Sequence, residues 1–132
     1  MSVVIDTSAM TAILLGEDDA TTYLQALSAH AGDLVMSAAT LVETRLVLER
    51  KAGLEAVEDL DSLLRRLGVE TAPFDAQHAQ AAYLGWKRFG KGRHDAALNL
   101  GDCYAYGVAK VLGASLLFKG EDFLKTDLSS TL

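Results

Sequence analysis

The sequence predicts an α/β fold in which four or five short strands form a parallel sheet. Three observations carry this. Short apolar runs alternate with longer amphipathic stretches, the pattern of successive βα units. Half of the 132 residues are hydrophobic, enough to fill one core and too many for a disordered chain. No repeat, linker or low-complexity stretch divides the sequence, so residues 1–132 are expected to form a single domain.

Ser2–Ile5 is a compact β-branched run, stopped by Asp6-Thr7-Ser8. A helix is expected over Ala9–Leu15, ended by Gly16 and the acidic turn Glu17-Asp18-Asp19, and a second over Ala20–Ala29. Leu34-Val35-Met36 reads as the next strand, with Ser37 as N-cap of a helix from Ala38 to about Lys51. Gly53 breaks that helix, Leu54–Leu67 resumes it with an apolar stripe, and Gly68 closes it before a strand at Val69–Thr71. Asp75 caps a helix to about Phe89. After the loop Gly90-Lys91-Gly92-Arg93-His94, Asn99-Leu100-Gly101-Asp102 opens a last helix to Gly113, and Ala114–Phe118 is a strand.

Composition excludes several functions. Twelve basic against eighteen acidic residues give a net charge of −6, wrong for a general electrostatic coat on DNA. One cysteine, Cys103, forms no internal disulfide, and with three scattered histidines it forms no zinc finger. The opening Met1-Ser2-Val3-Val4-Ile5-Asp6 lacks a signal peptide's basic start, and no apolar run reaches the roughly 20 residues of a membrane span. A soluble cytoplasmic protein is expected.

Four acids stand apart from the rest. Asp6 follows the first strand, where open parallel sheets place ligands, although it also suits a helix N-cap. Glu43 has Ala39, Leu46 and Val47 at i−4, i+3 and i+4, which puts it on or beside an apolar stripe; its ordinary explanation is an arginine across the core. Asp102 lies in the first turn of its helix, where the macrodipole favours an acid, yet beside apolar neighbours. Asp122 follows the last strand, where turn chemistry alone would explain it.

A parallel sheet sends all its strand C-termini, and the helix N-termini that follow, to one edge, so Asp6, Glu43, Asp102 and Asp122 gather there. Two carboxylates about 4 Å apart repel by roughly 4 kcal/mol at an effective dielectric near 20. Four together need a cation or a proton. An all-oxygen set selects hard cations such as Mg²⁺ or Mn²⁺, which polarise phosphoryl oxygens and activate water.

The Val3-Val4-Ile5-Asp6-Thr7-Ser8-Ala9 opening, Glu43, the block Leu98-Asn99-Leu100-Gly101-Asp102-Cys103 and the tail Phe118-Lys119-Gly120-Glu121-Asp122-Phe123 resemble PIN-domain ribonucleases. Within these the resemblance is to the VapC toxins of bacterial and archaeal toxin–antitoxin pairs, and it runs from end to end. It implies a three-layer α/β/α sandwich and a Mg²⁺- or Mn²⁺-dependent endoribonuclease leaving 5′-phosphate and 3′-hydroxyl ends. It also implies a homodimer held inactive by a VapB-type antitoxin. Asp6, Glu43 and Asp102 match the family's three constant acids and Asp122 the fourth. Ser8 matches the hydroxyl that supports the first metal site, and Asn99 a side chain that braces it.

Lys87, Arg88, Lys91, Arg93 and His94 lie before the Asp102 block, in a stretch from Lys87 to His94 that holds no acid. They read either as a solvated loop or as a lip that grips RNA phosphates. Tyr83, Trp86 and Phe89 are expected in the core or a dimer interface rather than as base-stacking platforms, and Cys103 in the core. Two other functions compete with a nuclease. An aspartyl-nucleophile phosphatase would want an acid where Ser8 stands, and a non-catalytic RNA-binding module would not need the acid quartet.

Overall fold

A computed structural model describes residues 1–132. Four parallel strands, β1 (Val3–Ile5), β2 (Leu34–Ser37), β3 (Glu70–Ala72) and β4 (Ser115–Leu117), lie in the order β3-β2-β1-β4. Val3 and Val4 pair with Leu34 and Val35 on one side and with Ser115 and Leu116 on the other. The chain thus starts at the middle of the sheet, moves outward to β3 and returns to the opposite side of β1, leaving a crevice beyond the C-terminal ends of β1 and β4.

Six helices cover the sheet: α1 (Thr7–Leu14), α2 (Ala20–Ala29), α3 (Ala38–Ala52), α4 (Leu54–Leu67), α5 (Ala76–Phe89) and α6 (Leu100–Leu112). Alternate strand residues face opposite layers, as the pleat requires. Val4, Val35 and Leu116 pack with Phe89, Tyr106 and Val108 of α5 and α6. Val3, Ile5, Leu34, Met36 and Leu117 pack with Met10, Leu27, Leu48 and Leu60 of α1 to α4. Strands β1, β2 and β4 are therefore buried on both faces, which explains why they read as largely apolar runs, whereas Glu70 and Thr71 of the edge strand β3 are exposed. This is the expected three-layer sandwich. No helix is long and apolar enough to cross a membrane.

The expected boundaries shift for identifiable reasons. β3 begins at Glu70 rather than Val69, because the Val69 N–H turns back to the Leu64 carbonyl while Gly68, left-handed at φ 65°, bonds Arg65. That is a Schellman closure of α4, and it consumes the residue expected to start the strand. Gly113 and Ala114 close α6 the same way, which delays β4 to Ser115. Helix α1 begins two residues early, at Thr7, because Asp6 is its N-cap. A fifth strand does not form; instead the C-terminal tail makes single-residue pairing with β4, through Leu116 and Ser130.

Candidate active site

Asp6 ends β1 and caps α1 at once. Its N–H reaches the Leu117 carbonyl of β4 at 3.0 Å. Its Oδ2 accepts the Ser8 N–H at 3.0 Å and the Ser8 hydroxyl, while Oδ1 receives no donor. Ser8 Oγ in turn accepts the Lys119 N–H at 2.9 Å, and the Lys119 ammonium is tied to Glu17 and Asp19, so the loop after β4 is clamped onto α1. Asp6 is only 3% exposed and pairs with no cation. Burial pushes its carboxyl up to about 7; the Ser8 bonds oppose this, and the charges of Asp102 and Glu43 add to it.

Glu43 projects from the middle of α3, and no arginine crosses the core to meet it. The buried side of α3 is Thr40, Thr44 and Leu48, whereas Val42 and Leu46 are each 57% exposed. Of the stripe expected around Glu43, Leu46 is exposed while Ala39 and Val47 are half-buried, and the half-buried carboxylate lies beside them. Thr7 Oγ1 donates to Glu43 Oε1 at 2.7 Å and meets Thr44 Oγ1 at 2.8 Å. The carboxylate sits against Gly101 of α6. Beside it opens a groove of about 550 Å³ flanked by Val42, Leu46, Val47, Leu100 and Tyr104, with Arg50 in its lining.

Asp102 is fixed by a capping box at the start of α6. Its N–H donates to Asn99 Oδ1 at 2.9 Å, and its Oδ2 accepts the Asn99 N–H at 3.0 Å. Asn99 thus braces Asp102 through both residues' backbones. Burial raises the Asp102 carboxyl, the Asn99 N–H works against this, and the charges of Glu43 and Asp122 add to the rise. Asp122 opens a short 3₁₀ helix, Asp122–Lys125; it is exposed, makes no side-chain hydrogen bond and touches the cluster only through its charge on Asp102. The four acids share one edge and feel one another, but no three of them converge into a complete ligand shell.

The basic segment is less free than its sequence suggests. Arg88 pairs with Asp127 at 3.3 Å, the Arg93 guanidinium lies 4.3 Å over Trp86, and the Lys87 ammonium lies 5.6 Å over Tyr83. His94 Nδ1 accepts the Ala96 N–H at 3.0 Å, and its ring meets Phe89 edge-on. Lys91 is exposed and makes no ion pair. Phe89 and Cys103 are core residues as expected, and burial pushes the Cys103 thiol up to about 11. Tyr83 and Trp86 depart from a core assignment: both are exposed, stacked at a centroid distance of 6.4 Å.

A buried carboxylate that feels the charges of two more, none of them with a cation beside it, lies at the crevice where parallel sheets place ligands. Residues 3–128 match the PIN domain family. The chain is 46% identical over 127 residues to the VapC ribonuclease Mb0640 of Mycobacterium bovis, covering 96% of each. Among solved structures it resembles Mycobacterium tuberculosis VapC20, a Sarcin-Ricin loop cleaving toxin, with TM-score 0.79, 19% identity and 96% of each chain covered. It also resembles VapBC2 from Rickettsia felis bound to a promoter DNA fragment, with TM-score 0.78, 17% identity and 98% of this chain and 97% of that one covered. The chain belongs to the PIN-domain family and, within it, to the VapC ribonucleases.

Sequence reasoning missed Thr7, Thr44 and Asp127. Thr7 had a signal, being a hydroxyl one residue after Asp6 in the same turn. Asp127 had none, because its partners lie up to 39 residues away.

Proposed function

We propose that the edge formed by Asp6, Glu43 and Asp102 is where this endoribonuclease toxin hydrolyses RNA phosphodiester bonds, with a divalent cation held by these acids and Asp122 reaching in from the rim. The observation that carries the reading is Asp6: a nearly inaccessible carboxylate, pushed up to about 7, with Oδ1 left without a donor and no cation beside it. Burying such a group unpaired is costly, so the site is built for something positive to enter. The donors are all oxygen, which fits Mg²⁺ or Mn²⁺ rather than zinc. Such a cation, when bound, polarises the scissile phosphoryl group and lowers the pKa of water.

The chain's own residues supply the rest. Ser8 orients Asp6, Asn99 fixes Asp102 in register, and Asp102 or Asp122 accepts the proton released as water attacks. Lys91, Arg93 and Lys87 are the cations best placed to hold the RNA backbone, with His94 beside them, while Arg88 is engaged by Asp127. The same acid edge suits an arginine or lysine from a VapB-type antitoxin, since a guanidinium pairs bidentately with carboxylates. The exposed Tyr83, Trp86 and Leu100 support a homodimer. Incubation with RNA in Mg²⁺ or Mn²⁺ should give cleavage that EDTA abolishes, with Ca²⁺ a poor substitute. Undiminished cleavage in excess chelator would overturn the metal reading.

A further inference from the structure

We propose that Gly101 and Thr7 are positioning residues for Glu43, holding its carboxylate at the junction between the Asp6 and Asp102 segments; this rests on Glu43 being a ligand. Gly101 stands in the first turn of α6 with an ordinary helical backbone, not among the glycines with positive φ. Its conformational freedom is unused, and glycine is a poorer helix former than any residue but proline. What the missing side chain provides is space. A β-carbon there would overlap Glu43 Oε2 and lie 2.5 Å from Cδ and 2.8 Å from Oε1, closer than real β-carbons approach anything. Gly85 and Gly107 are also tight, but against the Tyr106 ring and the α5 backbone, as helix packing demands. Gly101 alone makes room for a charged group.

Thr7 holds the opposite side of the carboxylate. Its hydroxyl donates to Oε1 at 2.7 Å, and Thr44, fully buried and 2.8 Å from the Thr40 carbonyl, stands behind it at 2.8 Å. Oε2 receives no hydrogen bond. The carboxylate is therefore wedged where α1, α3 and α6 meet, one residue from Asp6 through Thr7 and one residue from Asp102 through Gly101. Glu43, on a different helix from both other acids, is tied to each of their segments by a contact that neither acid makes itself.

Mn²⁺ titration by calorimetry and metal-free thermal unfolding test this on the full chain. Gly101→Ala should weaken Mn²⁺ binding by about tenfold or more, and Thr7→Val similarly, with Thr7→Ser staying within about twofold of the parent. Without metal, Gly101→Ala should lower Tm in the parent yet raise it by about 1–3 °C in a Glu43→Ala background, where only helix propensity remains. Mn²⁺ affinity lost in Glu43→Gln but kept in Gly101→Ala and Thr7→Val would overturn the positioning role alone. An equal effect of Gly101→Ala on Tm in both backgrounds would overturn the wedge. Mn²⁺ affinity unchanged in Glu43→Gln would remove the ligand reading, and this proposal with it.

Discussion

Asp6 and Asp127 are both carboxylates packed near α6, and they sit in opposite environments. Asp127 accepts from Tyr106 Oη at 2.9 Å, Lys110 Nζ at 2.9 Å and Arg88 Nη1 at 3.3 Å. Burial alone would raise its pKa, but the Lys110 and Tyr106 bonds and the two cations leave it lowered. Asp6 has only its Ser8 cap against deeper burial and two neighbouring acids, and is raised. One acid is satisfied by the fold and ties the C-terminal segment to α5 and α6. The other is left in deficit, and a deficit that the fold maintains marks a place where a ligand supplies the missing charge.

Removing each acid should therefore have opposite consequences. Asp6→Asn should abolish RNA cleavage, as should Glu43→Gln and Asp102→Asn, while metal-free Tm at pH 8 rises. Moving Asp6 from 3.8 to about 7 costs up to about 4 kcal/mol at high pH, and recovering a quarter of it shifts Tm by several degrees. The sign follows from proton counting. Between about pH 4 and 7 native Asp6 holds a proton that the unfolded chain has released, so metal-free stability falls as pH rises through that window and levels off above it. The gain of Asp6→Asn should accordingly vanish near pH 4. Cleavage at parental rate in Asp6→Asn, or a metal-free Tm gap that does not change with pH, would count Asp6 as an ordinary cap.

The fold was legible because local chemistry and global topology agree. Ser37 and Asp75 each cap the helix they were expected to cap, Asp6 and Asn99 cap the helices they precede, and the short runs expected between the helices hold the strands. Glu43 was singled out for a reason the structure bears out only in part: Ala39 and Val47 beside it are half-buried, but Leu46 is exposed. Periodicity marked an apolar stripe on α3 but not which side it faced, and here Thr40 and Thr44 are inside while Val42 and Leu46 are outside. The Thr44 hydroxyl finds partners in Thr7 and the Thr40 carbonyl, while the buried Thr40 hydroxyl has none, and no hydropathy pattern records either. The basic segment was read as free charge because the Arg88–Asp127 pairing depends on tertiary structure.

Metal addition should sharpen the contrast at an intermediate scale. Mn²⁺ at about 100 times its Kd stabilises a protein that binds it only when folded by about 2.7 kcal/mol. The gain should grow as pH rises through 7, because Asp6 must lose its proton to act as a ligand. Scanning calorimetry with and without EDTA checks this. Asp127→Asn should lower Tm by roughly 3–6 °C through loss of its charge-assisted bonds, yet keep the full response to Mn²⁺. An Asp127 variant that lost the Mn²⁺ response would erase the distinction between the two acids.

The smallest effect belongs to the basic segment, where the same division between engaged and free groups applies. Arg88 is engaged by Asp127, so Arg88→Ala should act mainly on stability, and only slightly given its exposure. Lys91 and Arg93 make no ion pair, and an RNA strand approaching a chain of net charge −6 needs local positive charge. For a single strand, each phosphate that the protein ceases to neutralise lowers the slope of log K against log salt by about 0.7, so removing both charges should reduce it by up to about 1.4. Binding of RNA by the Asp6→Asn protein, which should not cleave it, allows that slope to be measured at several salt concentrations. Antitoxin affinity should move the other way round, falling in Asp6→Asn and holding in the Lys91/Arg93 double variant, since of these two surfaces the acid edge is the one that offers carboxylates to an arginine. An unchanged salt slope in the double variant would place the RNA grip elsewhere, with the groove between Glu43 and Tyr104 the next surface to probe.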